Sequence, residues 1–189
     1  MGVPDRERAE AILNSFQLPH GIIRHTRGVA RVAVEAARLV EAAGVPVDVG
    51  LVEAAALLHD VDKPDTRDSR MHGVAAAARL VELGHPELAM PIASHPVHAL
   101  LDEERFPRGW PSVILSVADR HVAQEFMTTD QRIDDMQVRH PKFRDELELS
   151  RRRAHALEAD LAEVAGLAVD ELVDRLRVAW QAGVEDESG

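Results

Sequence analysis

The chain has no cysteine and no tyrosine, and aromatic residues are only 3% of its 189 positions. The absence of cysteine excludes disulfides, thiolate metal ligands and a thiol nucleophile. Any metal must therefore be held by imidazole nitrogen or carboxylate oxygen. Ala, Leu and Val dominate the apolar 46%, a composition that favours helices packed through small side chains over a β-sandwich. Lysine is almost missing: Lys63 and Lys142 are the only two among 22 basic residues. With a net charge of −11, the chain lacks the broad basic footprint that duplex nucleic acid demands. A local basic pocket for a small anion is compatible with that charge. No segment approaches the ~18 uncharged apolar residues of a membrane span, and the charged N-terminus is not followed by a signal-like apolar run. A cytoplasmic protein without membrane contact is expected, and a homodimer is left open. The P-loop lysine motif, the dinucleotide glycine fingerprint and the Gly-x-Ser-x-Gly elbow are all missing.

The length suits one sizeable core and is short for two domains. Apolar residues recur at three- and four-residue steps, and no strand of useful length stands out. Helices are expected over Asp5–Phe16, Gly21 to about Ala43, and from an Asp48 cap through Leu58 to His59. His72 is expected to open the next helix, which runs to Gly84. Another, starting at Pro86, carries Ile92 and His95 between Pro91 and Pro96. A further helix covers Val113–Phe126. Residues 127–141 read as polar and irregular. A charged helix runs from Pro141 to about Val164, followed by Val169–Gln181. The whole chain, 1–189, reads as one all-α domain, with a core over about 20–126 and C-terminal helices over about 141–183 packed on it.

Chemistry is concentrated in Ala-Ala-Leu-Leu-His59-Asp60-Val-Asp62-Lys63 and in four residues distant from it: His25, His72, His95 and Asp119. A divalent ion needs neutral imidazoles or ionised carboxylates, and a site gathered from several helices must place them inward. His25 lies between Ile22 and Val29, His59 one turn after Ala55, and Asp119 one turn beyond Leu115. Asp119 is the most telling, because a lone carboxylate within Val-Ile-Leu-Ser-Val-Ala-Asp is costly to bury without a cation. Four neutral histidines and two carboxylates against two divalent ions leave a positive centre that attracts phosphate. Two such ions can clamp a phosphoryl group for in-line displacement by hydroxide.

The order His25…His59-Asp60…Asp119 resembles the HD-superfamily metal-dependent phosphohydrolases. His59-Asp60-Val-Asp62-Lys63 resembles their His-Asp-x-x-Lys core, and Val117-Ala-Asp119 their last-ligand segment. His72 and His95 stand where dinuclear members have two further histidines. Among these enzymes the ligand order, with His25-Thr-Arg-Gly-Val29, is most similar to the bacterial symmetrical diadenosine-tetraphosphate hydrolases. The resemblance covers about residues 20–126. It implies a single HD-domain helical bundle in which Asp60 bridges two divalent metals, of iron, manganese, zinc or cobalt. His25, His59 and Asp119 would complete one metal, and His72 and His95 would serve the other. Asp62 departs from the Gly or Ala common at its place.

Around these ligands, Lys63 is expected to contact a phosphate or leaving group, its alternative being a charge that complements a helix C-terminus. Arg27 and Arg120 are candidate rim contacts to phosphate, or else solvated arginines. His98 is a candidate proton donor to the leaving oxygen. Asp62 can orient a ligand histidine or be a plain acidic residue. Gly28 leaves room on the ligand face. His20, His85, His140 and His155 read as exposed. The expected activity is hydrolysis of a phosphoester or phosphoanhydride of a small nucleotide, such as a dinucleoside polyphosphate. The alternatives are a mononuclear HD-type 5′-nucleotidase and a non-catalytic metal-binding regulatory module.

Overall fold

The computed structural model describes residues 2–64 and 69–186. The described residues form nine α-helices with short 3-10 turns between them and no strand. Helix α1 (Arg6–Ser15) begins where the Asp5 carboxylate accepts a hydrogen bond from the Arg8 N–H at 2.8 Å. Helix α2 (His20–Ala42) buries Val29, Val32, Ala33, Ala36 and Val40 along one stripe. Helix α3 (Val49–Leu58) starts at Asp48, which caps the Leu51 N–H at 2.9 Å. Its residues Val52 and Ala54–Leu58 are all buried. An almost uniformly apolar ten-residue helix has no face for water, and α3 accordingly lies inside the bundle, packed on α1 and α2.

Four short helical pieces follow. A 3-10 turn (Ser69–Met71) leads to α4 (Val74–Glu82), and a second (Pro86–Leu88) to α5 (Ala89–Ser94). The second turn and α5 lie against α3, and α4 packs on α5. Proline at the start of that second turn sets φ where the chain needs it. A third turn (Val97–Leu101) precedes α6 (Trp110–His121), which packs against α2, α3 and α5. Helices α7 (Thr129–Arg139), α8 (Arg144–Ala165) and α9 (Val169–Asp186) complete the chain. Helix α8 lies on α7 and the third turn, and α9 on α2. Gly28 is where α2 and α9 approach. A Cβ there would lie 3.1 Å from Val122 and 3.4 Å from the Trp180 indole nitrogen. The room it leaves is filled by Trp180.

Three elements differ from the sequence expectation. His72 does not open α4. It sits in a turn, and the helix starts after Gly73 at φ +81°, a conformation that no side-chain-bearing residue favours. Helix α6 stops at His121 rather than at Phe126. Val122 is extended and pairs with Phe126 in a single antiparallel bridge, while His121 donates to the Met127 carbonyl at 2.7 Å and stacks on the Phe126 ring. Most of segment 127–141 is not irregular, because it forms α7. The Thr128 hydroxyl and the Gln131 side chain make a reciprocal capping box there. His85 is also buried rather than exposed, with its ring against the Gly2 carbonyl at 3.2 Å.

Candidate metal centre

The end of α3 aims the chemistry inward. His59 and Asp60 follow the last turn of a buried helix and are themselves fully buried. Asp60 supplies an oxygen to two separate groups of potential ligands. With His25 and His59 it forms one triad, and with His72 and His95 a second; within each, the ligand atoms lie within 4.8 Å of one another. His25 Nε2 stands 3.4 Å from Asp60 Oδ2, and His72 Nε2 stands 3.2 Å from Asp60 Oδ1. Asp119, from α6, joins the first triad with Oδ1 at 3.1 Å from His25 Nε2 and 3.5 Å from His59 Nε2. All six residues expected as ligands are thus gathered at one place.

Their orientations are fixed from behind. His59 Nδ1 lies 2.7 Å from the Ala56 carbonyl, and His95 Nδ1 lies 2.6 Å from the Ile92 carbonyl. A carbonyl only accepts, so each Nδ1 carries a proton and each Nε2 is left to face the centre. His72 Nδ1 is held instead by Asp62 Oδ1 at 2.9 Å, while Asp62 Oδ2 accepts from the Gly73 N–H at 2.9 Å. Asp62 therefore orients a ligand histidine, the pattern that raises ligand basicity at metal sites.

The Nε2 atoms of His25 and His59 are 3.3 Å apart, and those of His72 and His95 are 3.2 Å apart. Nitrogens packed this closely among carboxylates share protons when no metal is bound, and a divalent ion can take the place of those protons. The buried Asp60 Oδ1 has no well-aligned hydrogen-bond donor, although His72 Nε2 lies 3.2 Å away, and a buried carboxylate oxygen so poorly satisfied is costly. The donor set fits two divalent ions that share Asp60: imidazole nitrogen and carboxylate oxygen suit iron, manganese, zinc and cobalt alike.

Electrostatics point the same way. Burial pushes the Asp60 carboxyl up, yet the charges of His59 and Lys63 and the hydrogen bond from His72 hold it well below the usual carboxylate range. Burial also opposes ionisation of Asp119, and hydrogen bonds from His25 and His59 outweigh it. His72 is lowered by burial and raised by hydrogen bonds to Asp60 and Asp62, with a net rise to about 9. Burial and the charges of His59 and His72 keep His95 well below the ordinary imidazole value. Lys63 Nζ lies 2.5 Å from Asp60 Oδ2, on a half-exposed side chain.

A cavity of about 690 Å³ opens onto this centre, touching Lys63, His72 and Asp119. One wall comes from the Pro96–Arg105 stretch, including Val97, His98 and Arg105; the other comes from α7, α8 and the 3-10 turn between them (Pro141–Phe143), including Arg132, Met136, Phe143 and Leu147. The volume is that of a small-ligand site. Arg70, Arg105, Arg132 and Arg139 also line it. The sequence reading missed these four arginines. Only the three-dimensional path of the chain brings them together, although the Thr128–Gln131 capping pattern would have revealed the helix that carries Arg132 and Arg139.

The other expected substrate contacts fare differently. Lys63 and His98 line the cavity. His98 Nε2 lies 3.3 Å from Arg105 Nη1, and burial together with the Arg105 charge lowers His98 to about 4. In this arrangement Nε2 is turned to the Arg105 guanidinium, so the ring expected as a proton donor braces Arg105. Arg27 does not line the cavity; its guanidinium pairs with Glu10 of α1, Nη2 to Oε2 at 2.7 Å. Arg120 is buried beside Asp119, with neither Nη1 nor Nη2 hydrogen-bonded, and burial lowers it to about 10. It too lies away from the cavity lining. Neither arginine is therefore a rim contact in this structure, and neither is simply solvated: Arg27 is paired with Glu10 and Arg120 is buried.

An all-α bundle in which His and Asp side chains that could hold metal converge from α2, α6 and the ends of α3 and α5 is the class of protein that the fold and site define. A family model described as the HD domain matches residues 22–124, more than half of the chain. The chain belongs to the HD domain family. No curated protein and no solved structure matches it. Among the described residues, no helix is long and apolar enough to cross a membrane.

Proposed function

We propose that this protein is a metal-dependent phosphohydrolase with a dinuclear centre, acting on phosphoanhydride bonds of small nucleotides. Dinucleoside polyphosphates are the first substrates to try. The observation that carries the reading is the sharing of Asp60 between two His-containing triads. His25, His59, Asp60 and Asp119 would hold one divalent ion, and Asp60, His72 and His95 the other. When bound, the ions supply an activated water and neutralise charge that develops on the phosphoryl oxygens.

The remaining steps belong to the chain's own groups. Lys63 now pairs with Asp60 Oδ2. Once Asp60 serves metal, the ammonium is left to face the cavity, where it can hold a phosphoryl oxygen. Arg105 and Arg132 line the same cavity and attract an anion to a chain whose net charge is −11. His98 is neutral and engaged with Arg105, so the site favours a leaving group that departs as an anion. A nucleoside phosphate of low pKa does this and an alkoxide does not, which favours anhydrides over esters. Duplex nucleic acid and membrane partners have no part in this reading.

Elemental analysis of protein purified without oxygen, chelator or added metal tests it directly. Two equivalents per chain, with metal-dependent nucleotide hydrolysis lost in Asp60→Ala while the helical circular dichroism is kept, is the expected result. One equivalent would favour a mononuclear 5′-nucleotidase. No metal on isolation and none on reconstitution would favour a regulatory module instead.

A further inference from the structure

We infer that Arg132, presented by α7 beyond the HD segment, binds a second phosphoryl group of the substrate, so that nucleoside di- and polyphosphates are selected over monophosphates. This inference rests on the nucleotide-hydrolase reading above. Arg132 is only 9% exposed and lines the cavity that also touches Lys63, His72 and Asp119. Its nearest carboxylate is Asp135 at 3.7 Å, beyond hydrogen-bond range. Asp135 is itself committed to Arg139, with which it makes a short ion pair. Among the described residues the Arg132 guanidinium makes no hydrogen bond, so its planar fork of donors is turned toward the cavity unspent.

A nearly buried guanidinium without a close anion is costly, and a second cation, Lys63, on the same cavity adds repulsion. An anion in the cavity relieves both. One phosphoryl group is already provided for by the metal centre and Lys63. Arg132 comes from α7, which carries neither Lys63 nor any of the six candidate ligands, and so is free to serve a further group along the same chain of phosphates. Guanidinium suits that task because it grips two phosphate oxygens at once. Met136, Phe143 and Leu147 on the same wall give the organic portion an apolar surface.

Calorimetry on the full-length, manganese-loaded protein tests this with inorganic pyrophosphate and orthophosphate as probes, metal content being measured after each titration. The wild type should bind pyrophosphate more tightly than orthophosphate. Arg132→Gln should lose about 10- to 100-fold in pyrophosphate affinity, the worth of one charged hydrogen-bonding pair, and much less in orthophosphate affinity. Arg132→Lys should recover part of the loss, which a misfolded variant would not allow. In kinetics, the ratio of kcat/KM for a nucleoside diphosphate to that for its monophosphate should fall in Arg132→Gln. Wild-type affinity in the variant, equal losses for both probes, or a wild type that does not distinguish them would overturn the inference. Arg132-dependent pyrophosphate binding without hydrolysis of any nucleotide would overturn the hydrolase reading and leave a diphosphate-binding site at Arg132.

Discussion

Asp62 Oδ1 receives the His72 Nδ1 proton at 2.9 Å, and this contact decides which face of the His72 ring can serve a metal. Asp62 Oδ2 is held meanwhile by the Gly73 N–H at 2.9 Å. In Asp62→Asn the single remaining oxygen is claimed by Gly73, so the amide NH₂ faces His72 Nδ1. A donor there drives the imidazole proton to Nε2 and blocks the lone pair that points at Asp60. Metal affinity of the second triad should drop by about 10- to 100-fold, while the first triad keeps its ion. Metal content after dialysis against a graded chelator series reads this as a fall from two equivalents to one. Two tightly held equivalents in the variant would show that Asp62 has no such role.

Gly73 makes that contact possible. Its φ of +81° and ψ of −44° place it in a conformation strained for other residues, and a Cβ would come within 2.8 Å of the Ile92 carbonyl. Gly73→Ala should destabilise the protein by more than the roughly 1–2 kcal/mol of left-handed backbone strain alone, and should weaken metal binding by shifting His72. Gly21 is the matched control. It lies in α2, and a Cβ there meets nothing within 4 Å, so Gly21→Ala should stabilise by up to about 1 kcal/mol. Thermal melts of the two variants should move in opposite directions.

The two positions also show what the sequence carries and what it does not. His25 and Asp119 were legible because each interrupts an apolar helical face, where its burial needs a reason, whereas His59, Asp60, His72 and His95 lie just outside helices and were legible through the order of the motif. Helix α3 was legible because a ten-residue apolar run flanked by Asp48 and Pro64 has one sensible fate. Gly73 was not, since its role comes from contact with Ile92, nineteen positions away. Helix α7 was missed because its mean composition is polar, and only its capping box and the burial of Thr129, Arg132 and Ile133 against its neighbours mark it. For Arg27 and Arg120 the sequence leaves a rim contact and a solvated face both open, and only the fold pairs Arg27 with Glu10 and buries Arg120.

Helix α7 is tied to the bundle through Glu158, so the cavity wall depends on a carboxylate outside the cavity. Glu158 is buried in α8, with Oε1 at 2.7 Å from His121 Nε2 of α6 and at 3.0 Å from the Thr129 hydroxyl of α7. Burial raises its pKa, and the hydrogen bond and charge of His121 more than compensate. Glu158→Ala leaves the buried His121 ring and the Thr129 hydroxyl without their shared carboxylate and should cost roughly 2–3 kcal/mol. Thr129→Val removes one hydroxyl contact and should cost about 1 kcal/mol. Urea unfolding of both variants checks the order. Equal, small effects would mean that the three helices are held by apolar packing alone.

Without metal, the centre is held by protons and by Lys63, and that makes its stability and its metal uptake respond to pH in defined directions. His72 is raised to about 9, above its unfolded value of about 6.5. Its contribution to the metal-free fold is therefore fully present below about pH 6.5 and is lost as pH rises through about 9. Asp60, Asp62 and Asp119 are lowered, so their contributions are present above about pH 4 and disappear as pH falls further. The melting temperature of chelator-treated protein should accordingly be highest between these limits and should decline toward pH 9. Metal binding needs a neutral His72, so below about pH 9 each ion entering the second triad must displace a proton. Calorimetric titration with manganese in buffers of different ionisation enthalpy should reveal proton release, with apparent affinity falling as pH is lowered from 8 to 6. His72→Gln should abolish most of that release and flatten the decline in melting temperature above neutrality. If the wild type takes up metal without releasing protons, His72 is already neutral in the empty site and the bond to Asp62 does not hold its charge.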